Sequence, residues 1–467
     1  MKQSSIKKNF AYKSILTVSS YLMAFVTFPY VSRVLGVEIL GLVNFVDNTV
    51  NYFLLFATMG IALLGVREIA AVKDDQLERD RVFSSILGLN LLFTFGALII
   101  YFSAVFFIPQ LYQHSELFYI GGAKILFTVF LVEWLFTGIE HFRYITIRSI
   151  VIKILYIIAV FCLVRTSDDY KLYFVLTVGV VVLNAIVNIV YVRKFVHIRL
   201  KYIISKKYAK QNLSLGVYSI MTSMYLTFNV MFLGFVSTNT EVGYYTTAFK
   251  LYTVVLSLFT AFTNVMLPRM SALLANEDKE QFQWLINKSF SAMCMFSIPM
   301  ILCSIILAPS IIFVLAGAGY EGAILPMQII MPAVLFVGVA QVLAVQILMP
   351  MRKDGVLLIA SITGALISIL INIVIVTSLQ SIGTAIVLVC SEITVTCTYI
   401  IYILRKRLIV IPFGILGTSF FCSIPSALVC YICEKWIENA FIAMGIAIVA
   451  AGITWFIVWR NIIKRFL

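Results

Sequence analysis

The chain has 467 residues, 62% of them from the set AVILMFWYC and only 12% charged, with a formal net charge of +14. Its mean hydropathy is +1.03, whereas a soluble protein carries about 25% charged residues. That excludes a water-soluble enzyme, and 37 Phe and 23 Tyr with ten Pro exclude a disordered chain. What remains is an all-α, polytopic membrane protein.

The chain opens on Lys2, Lys7, Lys8 and Lys13, then enters an apolar run too long for a signal-peptide core and without an A-x-A cleavage site. We read that run as the first transmembrane helix. Spans of about 20 apolar residues cross a bilayer. Fourteen such spans are predicted, near 14–35, 42–66, 82–107, 117–139, 149–166, 172–192, 213–236, 243–267, 288–316, 322–349, 356–377, 383–403, 411–433 and 440–459. If the N-terminus and every second loop lie inside, 29 Lys and Arg fall on that side and three (Arg165, Lys171, Lys435) on the other. This asymmetry places both termini in the cytoplasm. The positive charge is thus a topology signal with some anionic-lipid contact, not a nucleic-acid footprint.

The loops are short, so no soluble catalytic domain fits between the spans. No G-x-x-x-x-G-K-[ST] phosphate loop is present. His114, His141 and His197 sit in three different loops, and the eight Cys lie within apolar stretches, so no metal site, cofactor or catalytic triad is indicated. Function is expected between the helices.

An offset of 202 residues aligns Gly41 with Gly243, Arg67 with Arg269 and Glu78 with Glu280. Asn44, Asp47, Asn48, Asn51 and Thr58 share one helical face. The offset lays Asn44, Asn48, Asn51 and Thr58 on Thr246, Lys250, Thr253 and Thr260, which share a face of the eighth span. The seventh span adds Tyr218, Thr222, Tyr225 and Asn229. Six helices separate the two stripes, so the repeat is parallel. The domains expected are a cytoplasmic N-terminus (1–13), an N-lobe (14–195), a basic linker (196–212), a C-lobe (213–405) and two extra helices (406–467). Polar faces at the lobe interface suggest a transport cavity, although Ser, Thr and Asn also serve as interhelical glue.

Charges within spans are costly and usually face a cavity or a partner. Lys124 and Lys250 lie about two helical turns below the outer surface, and Arg33 and Asp47 are near it. Arg33 could equally snorkel outward. Glu133 and Glu392 are predicted mid-span in the fourth and twelfth helices. They are candidates for ion coupling or for structural pairing with a lysine.

The run from Phe28 through Pro29, Tyr30, Val31, Ser32, Arg33, Val34 and Leu35 to Gly36, followed by Gly41, Asn44 and Phe45, resembles the first helical hairpin of Wzx-type oligosaccharide flippases. The run Trp134 to Glu140, then Tyr144 to Ser149, is similar to their fourth-to-fifth helix junction. The resemblance implies membership of the multidrug/oligosaccharidyl-lipid/polysaccharide exporter superfamily. It further implies movement of an undecaprenyl-diphosphate-linked oligosaccharide to the periplasmic leaflet of a bacterial inner membrane, for O-antigen, lipopolysaccharide or capsule synthesis. Partners implied are that lipid-linked oligosaccharide, the bilayer, H+ or Na+, and a polysaccharide polymerase with its chain-length protein. A cationic cavity would come from Arg33, Lys124 and Lys250, with Asn44, Asp47, Asn48, Asn51, Thr246, Thr253, Tyr218, Tyr225 and Asn229 beside them. Asp47 departs from a purely cationic lining. A multidrug-type cation antiporter of the same fold is the alternative, and a membrane glycosyltransferase or polymerase a third.

Overall fold

The computed structural model describes residues 6–203 and 206–466, and those residues contain no strand. In chain order the helices are α1 (Ile6–Thr58), α2 (Ile61–Ala71), α3 (Gln76–Phe107), α4 (Pro109–Tyr112), α5 (Ser115–Thr128), α6 (Glu133–Gly138), α7 (Phe142–Leu163), α8 (Tyr170–Val192) and α9 (Lys206–Val236). There follow α10 (Asn239–Ala275), α11 (Lys279–Ile306), α12 (Ala308–Ala316), α13 (Ile324–Ile330), α14 (Ala333–Gln341), α15 (Asp354–Ile371), α16 (Thr377–Arg405), α17 (Gly414–Trp436) and α18 (Ala440–Phe466). Contacts divide the chain into one compact unit ending at Met231 and another beginning at Phe232.

Among the described residues, ten helices are long and apolar enough to cross a membrane, or eleven if the bent pair Glu321–Ile330 and Ala333–Leu348 is one span. Two of these are continuous stretches that each contain two expected spans. The first is broken at Gly36, whose φ of 75° and ψ of 170° leave the helical region. Glycine takes such a φ without a Cβ clash, so the chain kinks here between the first and second expected spans. The second is broken at Gln380, at φ 50° and ψ −123°. The expected seventh span lies on α9.

Within the first unit α1 packs along α3, α5 and α7, and α5 packs on α8. Gly121 makes the α1–α5 contact close, because a Cβ there would meet the Val50 side chain and lie 3.0 Å from the Tyr101 hydroxyl. Leu92, Ile99 and Phe106 on α3, and Leu183, Ile186 and Val190 on α8, are exposed. Such apolar faces are at home in lipid, where no water competes. Within the second unit α11 packs on α17, α15 on α16, and α17 on α18.

The structure adds three details to the expected spans. The fourth span is not one helix: it breaks at Val132, where φ is +39°, and restarts at Glu133. The second span likewise stops at Thr58, with Met59 at φ 37°, and restarts as α2. Third, the stretch 140–148 between the expected fourth and fifth spans is mostly helix, since α7 begins at Phe142. Arg143, Arg148 and Lys153 therefore sit on the helix itself. The basic charge there follows the end of a span rather than a loop.

The segment after α8 is stitched to the start of α3. The Phe195 carbonyl accepts from Gln76 Nε2 at 2.9 Å and from Arg79 Nη2 at 3.0 Å. Buried Asp80 accepts from the His197 amide at 2.9 Å and pairs with Arg199 Nε at 3.3 Å. Ser84 Oγ accepts from the Arg199 amide at 2.8 Å, and Ser85 Oγ donates to the Tyr202 carbonyl at 2.6 Å. A Cβ at Gly88 would run into the Ile203 carbonyl. This strap orders the basic segment beside the membrane. Replacing Asp80 with Ala strands the His197 amide and should cost about 1–3 kcal/mol. Gly88→Ala should displace the strap by overlap. Both variants are expected to speed tryptic cleavage after Arg199 and Lys201, and unchanged cleavage would contradict the strap.

Candidate functional site

The polar stripe on the second half of α1 meets α5 at Lys124. Its Nζ donates to Asp47 Oδ1 at 2.6 Å and to Asn51 Oδ1 at 2.9 Å. Asn51 Nδ2 in turn donates to Asp47 Oδ2 at 3.1 Å, so the three side chains close a ring. The helical spacing of Asp47 and Asn51, one turn apart, presents both acceptors to one ammonium. The Lys124 side chain is 12% exposed and that of Asp47 is 27% exposed. An ammonium has three donors, and two are taken, so one remains for a ligand. A wall of aromatic rings flanks this ring of polar groups. Phe45 packs edge-on to Phe118 and Phe53 on Tyr101, whose hydroxyl donates to the Phe118 carbonyl at 2.7 Å.

Other stripe residues turn back on their own helix. Asn48 Nδ2 donates to the Asn44 carbonyl at 2.8 Å and Thr58 Oγ1 to the Leu54 carbonyl at 2.8 Å. Arg33 is exposed, and its Nη1 donates to the Pro29 carbonyl at 2.6 Å. In the second unit, Thr246 is buried and bonds to the Val242 carbonyl at 2.8 Å. Lys250 is half-buried, and its carbonyl accepts from Thr253 Oγ1 at 2.7 Å. Asn229 is buried on α9. The side chains of Tyr218, Thr222 and Tyr225 lie outside the described residues.

The two deep carboxylates have partners. Glu392 on α16 is buried and accepts from the Tyr252 hydroxyl of α10 at 3.0 Å. Glu133 pairs with Arg148 Nη2 at 2.6 Å, in an ion pair whose side chains are 46% and 4% exposed. Arg148 also donates to Asn188 Oδ1, which accepts from the Tyr144 hydroxyl at 2.9 Å. The Asn188 amide donates to the Leu131 carbonyl beside the Val132 break. Tyr144 stacks on Tyr191 with centroids 3.8 Å apart. Arg148 is thus the hub that fastens the broken fourth span to α7 and α8.

Sequence reading missed this hub, because Arg148 was absorbed into a basic loop and its topology signal. The available signal was Asn184 and Asn188, one turn apart in an otherwise apolar span. The strap's Asp80 was missed for the same reason, lying among charges that solvent alone could explain.

The pair is asymmetric, which gives a rank order. Arg148 is nearly inaccessible and donates to Glu133, Asn188 and Ser149, so Arg148→Ala should lower stability by about 3 kcal/mol. Glu133 is half-exposed, so solvent screens it and Glu133→Gln should cost about 1 kcal/mol or less. Thermal unfolding in detergent checks this, and equal losses would contradict it.

The comparisons agree with this architecture. A family model described as "Polysaccharide biosynthesis protein" matches residues 6–274. Two proteins provisionally designated O-antigen transporters are similar. That of Escherichia coli (strain K12) is 24% identical over 417 residues, 87% of this chain and 98% of its own. That of Shigella dysenteriae is 24% identical over 374 residues, 78% of this chain and 91% of its own. Among solved structures, the lipid II flippase MurJ in an inward closed conformation superposes with a TM-score of 0.78 at 16% identity, covering 97% of this chain and 99% of that one. An outward-facing multidrug transporter of the MATE family and MOP superfamily superposes at 0.55 and 15% identity, over 86% and 95%. At these identities the structures establish the fold, a MurJ- and MATE-like bundle of membrane-spanning helices. The family model covers more than half of the chain, and the chain belongs to the polysaccharide biosynthesis protein family.

Proposed function

We propose that this protein is a flippase for a lipid-linked oligosaccharide with a diphosphate linkage, such as an undecaprenyl-diphosphate-linked repeat unit. It carries the unit from the cytoplasmic to the periplasmic leaflet of a bacterial inner membrane, with both of its own termini in the cytoplasm. The family and the O-antigen transporter relatives support the substrate class, and the likeness to a lipid II flippase fits it.

The observation that carries the reading is Lys124. A charge within a membrane span is costly, and this chain retains one between α1 and α5 with Asp47 as its counter-ion. A diphosphate brings more negative charge than one carboxylate and competes for the same ammonium. In this mechanism the headgroup replaces Asp47 at Lys124, and Asp47 returns when the headgroup leaves. Asp47 keeps the empty site neutral, which lowers the cost of its return through the alternating-access cycle. Arg33 attracts the anionic headgroup, while Asn44, Asn48 and Asn51 on the same face of α1 offer sugar-binding groups. The prenyl tail stays in lipid throughout.

Ion coupling is assigned to Glu392 ahead of Glu133. Glu392 is buried on α16 and accepts from the Tyr252 hydroxyl, and a carboxylate at that position is suited to carry a proton or Na+. Glu133 is held by Arg148, and its role is structural. Intramembrane cations also weigh against the cation-antiporter alternative, whose ligands are repelled by them.

Cells lacking this protein test the reading through the leaflet distribution of lipid-linked oligosaccharide. Intact units should accumulate on the cytoplasmic face. The native chain should relieve this, and Lys124→Ala should fail to do so at normal protein level. Normal arrival of units in the periplasmic leaflet, with no second flippase present, would overturn it.

A further inference from the structure

We propose that a groove at the basic end of the first unit, away from Lys124, is a binding site for one anionic glycerophospholipid. The groove has a volume of about 470 Å³ and lies between α3, α8, the break in the fourth span and the strap. Phe83, Leu87, Phe130 and Ile189 form its walls, and Arg193 and His197 stand at its mouth.

Three features point to a lipid of that charge. First, Arg193 is exposed and follows the last residue of α8, which places its guanidinium at headgroup level. Among the described residues its side chain has no hydrogen-bond or ion-pair partner. Arg79, Arg148 and Arg199 nearby are all engaged. A guanidinium at the mouth of a groove suits a phosphate diester, to which it can donate two parallel bonds.

Second, the walls descend from that level into the hydrocarbon. Ile189 is one helical turn before Arg193, and Phe83 and Leu87 are one turn apart on α3, about 6 Å of depth in each case. An acyl chain lies below its phosphate in the same order. Free phosphate would leave these walls unfilled.

Third, the site is preformed. His197 is held by its amide on Asp80, and Phe195 by Gln76 and Arg79. Binding therefore orders little protein, and little of the contact energy is lost to ordering. The zwitterionic lipids offer the same chain and a phosphate, but they add a cation beside Arg193. Net negative lipids do not. The bound lipid joins α3, α8 and the strap, and so steadies the segment that leads into α9. This site does not depend on the flippase reading and requires only the membrane orientation given above.

The test is native mass spectrometry of the purified full chain with equimolar phosphatidylglycerol and phosphatidylcholine of matched acyl chains. One phosphatidylglycerol should be retained in preference to phosphatidylcholine by about fivefold, the weight of about one cation at an anionic surface. Arg193→Gln should remove that preference. Lys201→Gln, on the same strap but outside the groove, should keep it, and glycerol phosphate without chains should not compete. Leu87→Trp, which fills the groove, should lower retention of both lipids. The proposal is overturned if the two lipids are retained equally, if Arg193→Gln and Lys201→Gln act alike, or if glycerol phosphate displaces the lipid. Arg193 is exposed, so its variant is expected to fold even where Leu87→Trp does not.

Discussion

Hydrocarbon does not solvate charge, and the placement of polar groups in this chain follows from that constraint. A lysine, an arginine and several carboxylates lie within or against apolar helices, and those described have been brought to partners. Lys124 is closed into a ring with Asp47 and Asn51. Arg148 holds Glu133 and Asn188. Glu392 has the Tyr252 hydroxyl. These pairs also decide which helices touch, because satisfying a buried charge requires bringing its counter-ion from another span.

The pairs divide by exposure and by what they bridge. Arg148 is inaccessible, has several neutral and charged partners, and sits at a helix break, so its network fixes α7 and α8 to the fourth span. The Lys124 ring is simpler. One cation faces one carboxylate, on a face of α1 lined with amides, with one ammonium donor to spare. Arg148 Nε has no hydrogen-bond partner among the described residues, so filled donors do not separate the two sites, but Arg148 ties three helices across a helix break whereas Lys124 ties two. On that ground we place the headgroup at Lys124 and leave Arg148 to hold the fold.

Much of this was legible in the sequence because membranes make charges conspicuous. Asp47 and Lys124 stood out inside apolar runs, and Asn44, Asn48 and Asn51 fell on one helical face. Breaks at Gly36 and near Gln380 could be placed between spans because hydropathy dips there. The break at Val132 was not legible, since Phe130, Leu131 and Val132 carry no Pro or Gly and read as continuing helix. The ion pair of Glu133 with Arg148 was hidden for a related reason. A basic residue near the end of a span is already explained by topology, so nothing in its neighbourhood marks it as buried. The strap was hidden because Asp80 and Arg199 are 119 residues apart, and periodicity carries no information over that separation.

The central claim is that Asp47 occupies Lys124 in the empty protein and gives way to the diphosphate. Equilibrium binding of farnesyl diphosphate to the protein in nanodiscs measures this most directly, compared among the native chain, Asp47→Asn and Lys124→Gln. Unmasking the ammonium in Asp47→Asn should tighten binding several-fold, and Lys124→Gln should weaken it by about tenfold, the weight of one well-formed charged contact. Binding that is weakened or unchanged by Asp47→Asn would contradict the account.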